Sequence, residues 1–112
     1  MSAKFNLVCD QATTFNFQFQ IKNDSTPWNL TGYTGVMTVK PFTNSTTTTL
    51  LASTANGRMV FDNANGRVTV TFTATQTNIT PSRYVYDLVL TNGAEVTRIL
   101  EGKFIVTAGV TV

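Results

Sequence analysis

Histidine is absent from this 112-residue chain, cysteine occurs once, proline three times, and charged residues make up only 12%. Each shortage excludes something. Without histidine the commonest general base and the commonest metal ligand are both missing. With Cys9 alone, no intrachain disulfide or cysteine-based metal cluster can form; beside Leu7 and Val8 it reads as a small apolar residue tucked under an early strand. The net charge is +2, from eight Lys and Arg against six Asp and Glu scattered along the chain. That leaves no basic stripe of the kind that tracks a phosphate backbone, so no nucleic-acid partner is expected. No apolar run reaches the roughly 18 residues a membrane span requires, and the first residues lack the pattern of a signal peptide. A soluble protein made in a cytoplasm, with no membrane partner, is the expectation. Phosphate-binding glycine loops and calcium loops are also missing, so neither a cofactor nor a metal is expected, and no catalytic residues are assigned.

What the chain does contain is β-forming sequence. Thr makes up roughly a fifth of it, and Val, Phe and Tyr are frequent, a composition suited to pleated, half-buried surfaces. The length fits one domain over residues 1–112 with a core of its own. From Thr14 to Lys22, Phe15, Phe17, Phe19 and Ile21 alternate with Asn16, Gln18 and Gln20, predicting a strand whose phenylalanines anchor a core. Pro27 breaks the pattern, and a second strand follows from Tyr33 to Lys40, ended by Pro41. The run Thr43 to Thr49 has too little apolar surface to be held inside, and reads as a flexible loop or exposed edge. Ala55-Asn56-Gly57-Arg58 and Ala64-Asn65-Gly66-Arg67 repeat a tetrapeptide, each copy followed by alternating residues. They mark two tight turns rather than a functional duplication. Thr69, Thr71, Thr73 and Thr75 read as the solvated outer face of the strand after the second turn. Gln76 to Ser82 reads as one helical or 3₁₀ turn crossing between sheets.

The most informative stretch runs from Arg83 to Val106, two long strands folded back at Asn92-Gly93. Tyr84, Tyr86, Leu88 and Leu90 fall on one face, and Val85, Asp87 and Val89 on the other. One face suits a core; the second, apolar at Val85 and Val89, calls for cover from the opposite sheet or a neighbouring protein. Asp87 is expected to pair with Arg98 across the hairpin rather than to act in catalysis. Tyr84, opening its strand just after a crossover, fits a tyrosine corner, in which the hydroxyl bonds back to the connection. Together these readings predict an all-β, immunoglobulin-like antiparallel sandwich of about seven to nine strands.

The order Pro27-Trp28-Asn29-Leu30-Thr31-Gly32-Tyr33-Thr34, followed by a strand ending at Lys40, resembles the opening of a phage tail domain. That domain is typified by the amino-terminal part of the baseplate upper protein of phages infecting Gram-positive bacteria. Gly66-Arg67-Val68-Thr69-Val70, Arg83-Tyr84-Val85-Tyr86-Asp87-Leu88, Arg98 through Val106 and the closing Val110-Thr111 continue the resemblance over nearly the whole chain. It implies a virion structural protein, a tail or baseplate adaptor that binds other virion proteins and forms a homo-oligomer in a symmetric assembly. Family members commonly continue beyond the closing Val-Thr, whereas this chain stops at Val112, which points to an adaptor or ring-forming part. Two alternatives stand beside it: a capsid decoration protein, and a carbohydrate-binding module using Trp28, Tyr33, Tyr84 and Tyr86 as stacking faces. The residues expected to make protein contacts are Trp28, Thr46, Thr47, Thr48, Val85, Val89 and Val112. For Trp28 the alternative is a core position beneath the turn with Tyr33.

Overall fold

A computed structural model describes residues 3–23 and 26–108. Eleven strands and no helix occur among them, in chain order β1 (Ala3–Lys4), β2 (Leu7–Asp10), β3 (Phe15–Gln20), β4 (Lys22–Asn23), β5 (Thr26–Pro27), β6 (Thr34–Lys40), β7 (Leu50–Ser53), β8 (Met59–Asp62), β9 (Arg67–Phe72), β10 (Ser82–Asn92) and β11 (Glu95–Thr107). Nine of them build two facing sheets. The larger runs β1-β11-β10-β6-β7, with β2 also on β11; the smaller runs β3-β9-β8; β4 and β5 form a separate two-stranded ribbon. This is the all-β sandwich expected from composition and alternation, with the strand order of an immunoglobulin-like domain.

Two details differ from the expectation. The sandwich is not antiparallel throughout, because β1 and β2 both run parallel to β11. They keep one register along it, Lys4 opposite Glu101 and Leu7 opposite Phe104, interrupted at Phe5 and Asn6. There the Asn6 side-chain carbonyl accepts from the Lys103 N–H (3.0 Å), standing in for a ladder bond. The single turn of the crossover after β9 is present but lies earlier in the chain than Gln76 to Ser82, closed by the Thr77 N–H on the Thr73 carbonyl (3.1 Å), the spacing of one helical turn. As β9 ends at Phe72, Thr73 and Thr75 belong to this crossover and not to the strand face.

The core lies between the sheets where alternation puts it. Tyr84, Tyr86, Leu88 and Leu90 of β10 are buried against Val68, Val70 and Phe72 of β9, with Met37 and Val39 of β6 and Phe104 of β11. Cys9 is buried with them, as expected of a small apolar side chain. Burial, reinforced by the neighbouring Asp10 charge, pushes its thiol pKa up, which keeps it in the unreactive protonated form. Phe15, Phe17 and Phe19 are only partly buried, since β3 is an edge strand. The tyrosine corner is present: the Tyr84 hydroxyl donates to the Thr80 carbonyl at 2.6 Å.

Tyr86 carries a measurable consequence of burial. Its hydroxyl donates to the Phe5 carbonyl (2.6 Å), and loss of water around it raises its pKa to about 12. An unfolded tyrosine ionises near pH 10. The folded state therefore holds this proton more tightly, so the stability it confers is complete below about pH 10 and is lost as the pH climbs toward 12. Urea unfolding across that window should show a loss of roughly 2 kcal/mol that is missing in Tyr86→Phe. Parallel slopes for the two proteins would refute it.

Candidate interaction surface

The β10–β11 hairpin closes through Gly93 and Ala94, with Asn92 opposite Glu95, one residue later than the Asn92-Gly93 turn expected from sequence. From there the register holds to Val89 opposite Arg98 and then shifts, so that Leu88 faces Leu100 and Ile99 is left as a bulge. The shift decides which side chains meet. In an unbroken ladder Asp87 would lie opposite Leu100, and Glu101 would face the buried Tyr86. With the bulge, Leu100 and Phe104 enter the core while Arg98 and Glu101 both turn outward, where Arg98 Nε reaches Asp87 Oδ2 at 3.3 Å. The expected pair is thus present. Its side chains are 55% and 37% exposed, which limits its worth to less than about 1 kcal/mol. Glu101 lies directly opposite Asp87, an adjacency the sequence reading did not contain. The signal was there: two outward charges three residues apart cannot share one face of a regular strand.

Val85 and Val89 stand beside Asp87 on the outer face of the larger sheet, half-exposed and not covered by the smaller sheet. Val89 pairs with Val36, and Leu51 lies one strand further on, both about two-fifths exposed. This outer face is an open, slightly concave surface. Part of it forms an open concavity of about 500 Å³, where Val85 lies with the carboxylates Asp87 and Glu101, Arg98 and the three lysines Lys4, Lys40 and Lys103. Among the described residues no three His, Cys, Asp or Glu gather closely enough to hold a metal ion.

The other contact candidates scatter. Trp28 is half-buried and packs on the core beside Tyr33, ring centroids 6.3 Å apart, as the core alternative has it, with part of its ring left at the surface. Thr46, Thr47 and Thr48 are exposed on the β6–β7 loop, far from featureless: the buried Ser45 hydroxyl donates to the Thr47 carbonyl and accepts from its N–H. Val112 lies outside the described residues. Tyr84 and Tyr86 are buried with their hydroxyls engaged, so neither offers a stacking face to a sugar. Sequence reasoning missed Phe5, which is 52% exposed and stacks on Phe17 at 5.9 Å. No protein-family model matches this chain, and no curated protein is similar enough to it to mark a relative.

Proposed function

We propose that the protein is a bacteriophage virion structural component, a tail or baseplate adaptor that organises its neighbours through protein contacts. The observation that carries this reading is the uncovered outer face of the larger sheet, where Val36 and Leu51 are exposed and Val85 and Val89 partly so. Apolar side chains grouped on a sheet face gain from burial against a partner, at about 25 cal/mol per Å² covered. The resemblance of the chain's ordered phrases to a phage tail domain supplies the setting, and the same face would serve a capsid decoration protein equally well. The carbohydrate reading is weaker, having lost two of its four aromatic faces to the core.

Mass spectrometry of purified particles should find this chain in fixed stoichiometry, and its absence would sink the proposal. A few to tens of copies per particle would mark a baseplate part, and on the order of hundreds a decoration protein. Val36→Glu combined with Val89→Glu should leave the fold intact but abolish incorporation. Normal incorporation of that double variant would remove the outer face from the contact.

A further inference from the structure

The smaller sheet ends in a strand with none of the usual protection. β3 pairs only with β9, on one side, and no other strand of the described residues lies along its free edge. Edges are normally guarded by Lys, Pro, a bulge or brevity. β3, read Phe-Asn-Phe-Gln-Phe-Gln, has no charge, no proline and no irregularity in six residues. The other edges are shorter or broken: β7 and β8 have four residues each, and β1 and β2 are separated by Phe5 and Asn6.

Hydrogen-bond parity shows which groups are free. The Thr71 N–H donates to the Arg58 carbonyl on the β8 side (2.9 Å), so Thr69 and Thr71 turn their main chain toward β8, and Val68, Val70 and Phe72 toward β3. Their partners Phe19, Phe17 and Phe15 are satisfied, and the Ile21 N–H continues the same inward set on the Gly66 carbonyl (2.8 Å). Asn16, Gln18 and Gln20 therefore point their main-chain N–H and C=O groups away from the sheet. Beside this edge lies a groove of about 340 Å³ lined by Phe5, Phe17, Phe19 and Leu100, together with Lys4 and the edge's own Gln18 and Gln20.

We propose that β3 pairs antiparallel with β3 of a second copy, joining two three-stranded sheets into one of six across a two-fold axis at Gln18. The occupant follows from self-complementarity. An isologous contact sets each group near its own copy, so a charged edge would repel itself, whereas the amides of Asn16, Gln18 and Gln20 both donate and accept. The register centred on Gln18 is the one that uses all three free residues, pairing Gln18 with itself and Asn16 with Gln20. It also sets Phe17 of one copy beside Phe19 of the other, a cross-strand aromatic pair that closes the groove. This deepens the assembly reading by naming one partner, the chain itself. Pairing is measured on the isolated protein, so it can fail without touching the test on particles.

Sedimentation equilibrium from micromolar to millimolar concentration should show the 12.2-kDa chain passing reversibly to twice that mass. Gln18→Lys and Gln18→Glu, exposed substitutions that leave the core alone, should each hold the protein monomeric, and an equal mixture of the two should pair. Amide exchange provides a check free of substitution: the Asn16, Gln18 and Gln20 amides should gain protection as wild-type concentration rises. A wild type that stays monomeric, variants that pair as well as the wild type, or edge amides whose exchange ignores concentration would each overturn the proposal.

Discussion

Phe104→Ala is expected to cost about 3–5 kcal/mol of folding stability, a large part of the roughly 5–15 kcal/mol that holds a domain of this size together. Phe104 is wholly buried and meets two other rings edge-on, Phe15 at 5.3 Å and Phe72 at 6.3 Å. Those rings come from β3 and β9 of the smaller sheet, whereas Phe104 belongs to β11 of the larger one. Truncation would therefore leave a void at the seam between the sheets, lined by groups that the strand ladders on either side prevent from closing in. Edge-to-face pairs add about 0.5–1.5 kcal/mol each beyond the area they bury, and both would be lost. Urea unfolding of Phe104→Ala beside Val96→Ala is the measurement. Val96 is also on β11 but 66% exposed, and its truncation should change stability by less than about 0.5 kcal/mol. Near-equal losses for the two variants would mean that the sheets are not joined through Phe104.

Gly66→Ala should be almost as damaging, and its twin Gly57→Ala should not. The two glycines occupy the same place in the repeated Ala-Asn-Gly-Arg turn, and both have positive φ, +64° for Gly66 and +80° for Gly57. Alanine in that backbone region costs on the order of 1 kcal/mol at either site. The surroundings separate them. A Cβ at Gly57 meets nothing within 4 Å, but at Gly66 it would lie 2.6 Å from the Ile21 carbonyl oxygen and 2.8 Å from that of Trp28. Both are main-chain atoms. They are tied in place by the Ile21 N–H on the Gly66 carbonyl and the Trp28 N–H on the Ile21 carbonyl, so neither can swing aside as a flexible side chain would. Relief requires moving the segment that carries Trp28 over the core, which brings the expected loss for Gly66→Ala to about 3 kcal/mol or more. Thermal and urea unfolding of the two single variants read the difference directly; equal losses would show that backbone conformation, not contact, is all that matters at Gly66.

The repeated turn also shows how far the sequence could be followed. Asn-Gly at both sites announced tight turns with positive φ, and both formed, because that requirement is local and depends on the glycine alone. Nothing within either tetrapeptide told that one would face solvent and the other press against the chain at Ile21 and Trp28, some forty residues away in sequence. The β10–β11 hairpin divides the same way. The alternation of Tyr84, Tyr86, Leu88 and Leu90 fixed the core face of β10, and the pairing of Asp87 with Arg98 was readable from opposite charges on facing strands. The bulge at Ile99 was not read, although it is what turns Leu100 into the core and sets Glu101 opposite Asp87, because a bulge serves the register of the whole ladder rather than the preference of its own residues.

Among the contact candidates, the exposed Thr46 to Thr48 were legible from polarity, whereas Trp28 was not: a large amphipathic ring serves a core or a surface equally well until its neighbours are known. Phe15, Phe17 and Phe19 were read correctly as one face of a strand, but their partial exposure depends on β3 being an edge, a property of strand order that no local pattern encodes. By itself, then, the sequence determined the β class, the positions of most strands, the turns and the inward face of each long strand, all set by forces acting over a few residues. Tertiary structure alone decided the parallel seating of β1 and β2, which edge is left unguarded and which apolar face stays open, because those depend on contacts between segments far apart in the chain.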